Sequence, residues 1–406
     1  MIELKEKNTA FDLTKNPVGK FNGNEQKYVL QVLDSTYEEP MPWSQRLEDA
    51  FCELVGAKYA IACNSGTSGL HMALAAVGVG PGDEVISPAL TVVMDSYATI
   101  VLGATPVFAD INPKTYTVDP EDVCRKITPK TKAIIVVSLQ GLPVDMDPIM
   151  AMAKERNLIV IEDSAQTMLG KYKGRIAGTI GHINVFSFEG KKHISCRSEG
   201  GMVVTNDEVL GMKARKFGGI GYKHLTARAG RTSLAASVFQ NPDYERFDTV
   251  GLNYRMPDIS AAVGLAQVER AHEIVGRRKK IGAMFEEVVV GCSWIEAQQT
   301  PVNYEHSYYT FAVTYNGEEA LGVSWREFYK RYQDMGGDGF YGACQVPYLE
   351  PVFRNLEVNG HRYERGLCPV AEGIQKKIMQ FKANYIDMDK AKYKIDTLHR
   401  LIRSLQ

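Results

Sequence analysis

Two lysines, Lys191 and Lys192, stand just past an apolar run in Val185-Phe-Ser-Phe-Glu-Gly-Lys-Lys-His193, and a glycine pair, Gly200-Gly201, opens the next apolar run. Upstream, Ile159-Val-Ile-Glu-Asp163 is a second apolar run, and it ends in acids. An amine and a carboxylate, each at the end of an apolar run, are two groups that pyridoxal 5'-phosphate (PLP) needs. The amine forms a Schiff base, and the carboxylate keeps the pyridine nitrogen protonated, because the ring draws electrons only while that nitrogen is cationic. A third segment, Asn64-Ser-Gly-Thr-Ser-Gly-Leu70, follows a strand and opens a helix. Its small residues let backbone N–H groups converge on an anion, and its hydroxyls add donors at the positive helix end. Ser187 offers one more phosphate donor. Asp163 is placed where α/β ligand sites form, at the carboxyl end of a strand, although an aspartate there also serves as a helix cap. Gln166, three residues on, faces the same side of a short helical turn and comes within reach of the ring oxygen. A Schiff-base lysine attacks only when deprotonated, so its site must lower its pKa. The residues alone do not separate Lys192 from Lys191.

The elements that must position these groups alternate. Tyr59–Cys63, Glu84–Ser87, Thr105–Ala109, Ala133–Val137 and Leu158–Ile161 are short runs apolar on both faces, as buried parallel strands are. Between them Gly69–Val77, Met94–Leu102, Pro120–Ile127 and Met146–Arg156 read as helices. This alternation predicts right-handed crossovers and a helix-flanked, mostly parallel sheet. From Pro257 a long helical pattern carries Ile259, Val263, Ala266 and Arg270 at turn spacing. The composition then shifts to a strand-like Ser307–Val313 and charged helices. The expected division is 1–270, a large PLP-binding domain, and 271–406, a smaller α+β domain on which the N-terminal arm is placed to pack.

Composition sets bounds. A chain of 406 residues is long enough for a large α/β domain with a smaller one appended. With 47 basic and 48 acidic residues and no block of like charge, nothing favours nucleic acid or an anionic membrane as partner. No apolar run approaches the length of about 18 residues that a membrane-spanning helix needs. The charged start, MIELKEKNTAFDLTK, has no apolar core of a secretory signal. The seven cysteines are scattered without a CxxC pair, a pattern of reduced thiols with no metal site. A cytoplasmic protein is expected.

The blocks Asn64-Ser-Gly-Thr67, Gly80-Pro-Gly-Asp-Glu-Val85, Gly103-Ala-Thr-Pro-Val107, Ile161-Glu-Asp-Ser-Ala-Gln166, Phe186-Ser-Phe188 with Lys192, Glu199-Gly-Gly201 and Leu252-Asn-Tyr-Arg-Met-Pro257 resemble, in this order and spacing, the DegT/StrS sugar aminotransferases. The resemblance implies PLP fold type I: a large domain with a mostly parallel helix-flanked sheet, plus a smaller C-terminal α+β domain. It implies the Schiff base at Lys192, five positions after Ser187. Asp163 is then on the pyridine nitrogen, Gln166 on the phenolic oxygen, and Gly66, Thr67 and Ser187 on the phosphate. Asn253 is implied to reach the phosphate of a neighbouring subunit's cofactor, in a homodimer with shared active sites. The implied reaction moves an amino group from L-glutamate to a keto sugar, for lipopolysaccharide or a related amino-sugar product. The acceptor is expected to be a nucleotide-linked keto hexose, with an 8-oxo-3-deoxy-octulosonate as the secondary expectation. Two departures stand out. His193-Ile-Ser-Cys-Arg-Ser198 precedes Glu199 where the family is one residue shorter and writes glycine, and Val92 replaces a ring-stacking aromatic. Arg197, Arg231 and His306 are candidate pocket residues. The alternatives are a PLP-dependent sugar dehydratase, whose relatives exchange the lysine for histidine, and a non-catalytic relative. His193 beside Lys192 keeps the first open, while the intact lysine argues against it.

Overall fold

The computed structural model describes residues 20–35, 42–230, 234–342 and 346–406. The apolar runs form one seven-stranded sheet: β1 (Tyr59–Cys63), β2 (Glu84–Pro88), β3 (Thr105–Ala109), β4 (Thr131–Val137), β5 (Ile159–Asp163), β6 (Ile183–Ser187) and β7 (Gly201–Thr205). Their order is β1-β7-β6-β5-β4-β2-β3. All neighbouring pairs from β6 to β3 are parallel, whereas β7 runs antiparallel to both β1 and β6. The mixed, mostly parallel α/β architecture expected from the alternation is therefore present.

The direction of β7 decides which residues meet at the sheet edge. Because it runs backwards, its first residue, Gly201, is opposite the last residues of both β1 and β6, pairing with Cys63 and with Ser187. The Cα of Gly201 also lies against the backbone of the 65–66 turn. A Cβ there would come within 2.5 Å of the Ser65 carbonyl oxygen, so only glycine fits. Three chain segments thus meet at one edge of the sheet.

Helices flank the sheet on both faces. One face packs Leu70, Met72, Ala73 and Leu74 of the helix Gly66–Ala76 onto Ile61, Val185 and Val203. The other packs Trp43, Leu47 and Phe51 with Ala261, Ala262 and Leu265 onto Phe186, Met202 and Val204. The long helical pattern after Pro257 resolves into two helices, Asp258–Val268 and Ala271–Val289, with a break at Glu269-Arg270. Ile259, in the first turn, is 47% exposed although it shares the turn spacing of buried Val263 and Ala266.

A second sheet of three antiparallel strands, Ile295–Ala297, Thr310–Tyr315 and Ile378–Lys382, has its own core with Phe285, Phe311, Phe381 and Leu398. The chain between its last two strands returns to the larger sheet. Tyr348, Phe353 and Tyr363 surround Phe108 at ring distances of 5.0, 5.9 and 5.6 Å, and both oxygens of Asp110 accept N–H groups from Val370 and Ala371 at 2.9 and 2.8 Å.

Candidate active site

The carboxyl ends of β1, β5 and β6 face one region, and each contributes a different chemistry. After β1 the chain turns into the helix Gly66–Ala76. Ser65 caps it: its Oγ accepts the Ser68 N–H at 3.1 Å, and Ser68 Oγ accepts the Ser65 N–H at 3.1 Å in return. This reciprocal box fixes the first turn. Gly66 and Thr67 sit in that turn, where N–H groups have no intrahelical acceptor. Gly66 lies directly against Ser187 at the end of β6, 2.9 Å from its Cβ by the position a side chain would take. Gly66 and Ser187 therefore converge, and Thr67 is the next residue of that turn. Among the described residues, the partner of Ser187 Oγ is the Glu189 N–H at a long 3.4 Å, so the hydroxyl keeps capacity for another group.

Asp163 ends β5 and is 2% exposed. Its Oδ1 accepts the Ala165 N–H at 2.8 Å, which makes it a cap of the 164–167 turn as well as a buried carboxyl in the site. Adjacent Glu162 points elsewhere, because a strand alternates its faces. Its carboxylate accepts N–H groups from Gly178, Ile180 and Gly181. Gln166 is buried and its Oε1 accepts the Gln140 N–H at 2.8 Å, which leaves the amide N–H groups for a ligand.

The two lysines have different surroundings. Lys191 is exposed, while Lys192 is half-buried. The ammonium of Lys192 makes no ion pair among the described residues and sits 4.7 Å from the centre of the Tyr309 ring. Burial pushes the Lys192 pKa below its ordinary value, and the nearby Asp163 charge opposes that shift. Burial likewise raises the Asp163 pKa, against the Ala165 N–H and the Lys192 charge. Amine and carboxylate are therefore close enough to feel each other.

The loop that carries the lysines is clamped from behind. Arg278, fully enclosed, donates to the carbonyls of Lys191 and Lys192 at 3.1 and 2.9 Å and to Tyr309 O at 3.1 Å. Burial pushes its pKa down to about 10. Lys20 Nζ adds bonds to Gly190 O at 2.6 Å and Lys192 O at 3.3 Å. His193 is buried, and its Nε2–H donates to Ser307 O at 3.0 Å. Burial, with the Arg278 charge, holds that imidazole well below its ordinary pKa, so it is neutral and committed to the backbone.

Other expectations land differently. Asn253 is exposed, bridges Gly219 beside the β1 end, and accepts the Arg255 Nε–H on its Oδ1 at 3.0 Å. His306 is buried, with its Nε2–H donating to Gln298 Oε1 at 3.2 Å and its Nδ1 accepting the Tyr308 N–H. Arg197 is exposed beside the Phe21 ring. Arg231 and the arm before residue 20 lie outside the described residues. Three residues in or around this region belong to no motif in the sequence: Arg278, Tyr309 and Asp95. Asp95 is 0% exposed, and its carboxyl contacts Asp163. The polar pair Thr91 and Asp95, one helical turn apart in an apolar stretch, was the signal available for it.

The residues present fit PLP. First-turn N–H groups and a hydroxyl with its O–H to spare suit a phosphate, a buried carboxylate suits a pyridinium, and an amine without an ion pair among the described residues suits an aldehyde. Comparisons agree. The chain is 41% identical over 269 residues to a GDP-perosamine synthase of Caulobacter vibrioides, covering 66% of this chain and 68% of that one. It is 39% identical over 292 residues to the GDP-perosamine synthase of Escherichia coli O157:H7, covering 72% and 75%. The X-ray structure of an aminotransferase from Psychrobacter cryohalolentis superposes with a TM-score of 0.84 at 30% identity, over 94% of this chain and 97% of that one. The architecture is that of PLP fold type I. A family model matches residues 20–396, and the chain belongs to the DegT/DnrJ/EryC1/StrS aminotransferase family.

Proposed function

We propose that this transaminase uses PLP to move an amino group from L-glutamate to a nucleotide-linked keto hexose, as a cytoplasmic homodimer. One observation carries the reading: a half-buried amine without an ion pair, Lys192, beside a buried carboxylate, Asp163, at one sheet edge. The names of the two relatives, GDP-perosamine synthases, support a nucleotide-linked sugar as acceptor. When bound, PLP supplies an aldehyde that takes the amino group from a donor and releases it to a keto acceptor. In this reading Lys192, lowered in pKa, serves as nucleophile and then carries a proton on Nζ as general base and acid. Asp163 holds a proton on the ring nitrogen, Gln166 donates to the phenolic oxygen, and Gly66, Thr67 and Ser187 hold the phosphate. The same reading divides the chain into a cofactor-binding unit over 1–270 and a smaller unit over 271–406.

Glutamate with a panel of GDP-, UDP- and dTDP-linked keto hexoses, read by 2-oxoglutarate formation, tests the substrate. Turnover on one of them is expected, and none on any would overturn the assignment. For the dimer, Asn253 keeps amide N–H groups free for a partner's phosphate, and Val250, Leu252 and Ile259 around it are exposed apolar side chains. Mixing Lys192→Ala with Asn253→Ala subunits puts both lesions into one site of a mixed dimer, so up to half the parental activity returns. If Asn253 serves its own chain, no intact site forms and activity stays low. Asn253→Ala alone should weaken cofactor binding by about 1.5–3 kcal/mol.

A further inference from the structure

Asp95 stands at the start of the helix Met94–Ile100, fully enclosed. The Thr91 hydroxyl donates to its Oδ2 at 3.1 Å. Its Oδ1 is enclosed yet receives no hydrogen from any donor among the described residues. The group beside it is a second carboxyl, Asp163. Among the described residues no lysine or arginine acts on Asp95; the groups that do are Thr91 and Asp163. Asp163 is faced by the Ala165 N–H from its own turn, by Lys192 from the loop after β6, and by Asp95. Two ionised carboxylates this close and this dry repel strongly, so one of them holds a proton. The Ala165 N–H and Lys192 favour the charge on Asp163, which leaves the proton to Asp95. A hydrogen on Asp95 also gives the orphaned oxygen its partner.

We propose that Asp95 is a neutral carboxylic acid that donates a hydrogen bond to the Asp163 carboxylate, and so acts as a positioning residue that sets how firmly Asp163 holds the proton on the cofactor's ring nitrogen. This rests on the assignment of Asp163 to that nitrogen. The donor keeps Asp163 anionic in a site where burial alone would neutralise it. Without the donor, Asp163 takes up a proton at higher pH and loses its grip on the pyridinium.

The test compares Asp95→Asn and Asp95→Ala with Asp163→Asn in the full-length protein, reading PLP affinity, the pH dependence of the bound cofactor's visible band, and the infrared signature of a protonated carboxyl. Asparagine keeps an N–H donor, so Asp95→Asn retains near-parental affinity and pH profile while losing the infrared band. Alanine removes the donor, so Asp95→Ala raises the PLP dissociation constant about tenfold or more, most at acid pH. A parental affinity and pH profile in Asp95→Ala, while Asp163→Asn loses cofactor, overturns the proposal alone. Parental binding in Asp163→Asn overturns the ring-nitrogen assignment instead. If Asp95→Ala does not fold, Asp95→Asn still decides: an unchanged infrared spectrum, or a cofactor band that titrates at a different pH, shows that Asp95 was ionised and refutes the proposal.

Discussion

Two places in this molecule bury acids, and they are built on opposite rules. At Glu48 and Arg215, both nearly fully enclosed, the charges pair bidentately at 2.9 and 2.8 Å. The Ala62 N–H donates to Glu48 at 2.9 Å, and Arg215 also donates to the carbonyls of Ala60 and Ala227 at 3.0 Å. Opposite charges with ample hydrogen bonds can be buried at tolerable cost. That pair ties the helix Trp43–Val55, β1 and the helix Glu208–Gly218 together. At Asp95 and Asp163 two acids are packed together, and the nearest cation, Lys192, has its own charge disfavoured by burial. Acids left uncompensated mark a place where the chain is held ready for something else, whereas acids fully compensated mark where it is held together.

The contrast is broken most completely at the amine. Lys192→Ala should abolish turnover and the visible band of bound PLP, while Lys191→Ala, at an exposed position, should leave both nearly intact. Borohydride reduction of the loaded protein followed by peptide mapping should label Lys192. A label on Lys191 would reverse the assignment of the two lysines.

Breaking the compensated pair should hurt differently. Arg215→Met leaves Glu48 buried without its cation and should cost about 3–5 kcal/mol of stability. Replacing both, as Glu48→Leu with Arg215→Met, should recover most of that loss, because no buried charge remains uncompensated. Denaturant unfolding of the cofactor-free protein measures the stability, and the absorbance of the loaded variants should match the parent. A single variant that keeps its stability but loses the cofactor band would mean that the two acidic regions are not separate in function. Asp163→Asn is the converse case. It should keep its unfolding midpoint and lose about 10²–10³-fold in turnover, the size expected when one preorganised electrostatic partner of a reacting group is removed.

Much of this organisation was legible in the sequence. Buried parallel strands are short apolar runs, and β1 and β3 have the limits that the runs suggest. Asp163 ends its strand where the apolar run gives way to acids, although Glu162 before it still pairs within the sheet. The direction of β7 was not legible: Gly201-Met-Val-Val-Thr205 is apolar up to its last residue and reads the same whether it lies parallel or antiparallel. The different surroundings of the two lysines were not legible either, because Arg278, which donates to both of their carbonyls, lies 86 residues along the chain from Lys192. Asp95 lies in the first turn of a helix, where the dipole favours any acid, so its position alone marks no site. Only the packing that brings it onto Asp163 turns it into a shared-proton site. The return of Tyr348, Phe353 and Tyr363 to the larger sheet has no local pattern either, since aromatic side chains do not declare which of two cores they join.

The smallest effect should appear in how fast the cofactor-free protein takes up PLP as pH changes. Only the neutral amine attacks an aldehyde. Lys192 has its pKa lowered from 10.5 by burial, with the Asp163 charge working in the opposite direction. The rate of growth of the visible band after mixing with PLP should therefore rise with pH and level off once the pH passes the lowered pKa, short of the ordinary lysine value. Removing the Asp163 charge takes away what holds the pKa up, so Asp163→Asn should move the midpoint to still lower pH. Arg215→Met, in the other acidic region, should not move it at all. A midpoint at the ordinary lysine value would show that Lys192 is not desolvated before the cofactor arrives. An upward shift in Asp163→Asn would show that the carboxylate does not act on the amine through its charge.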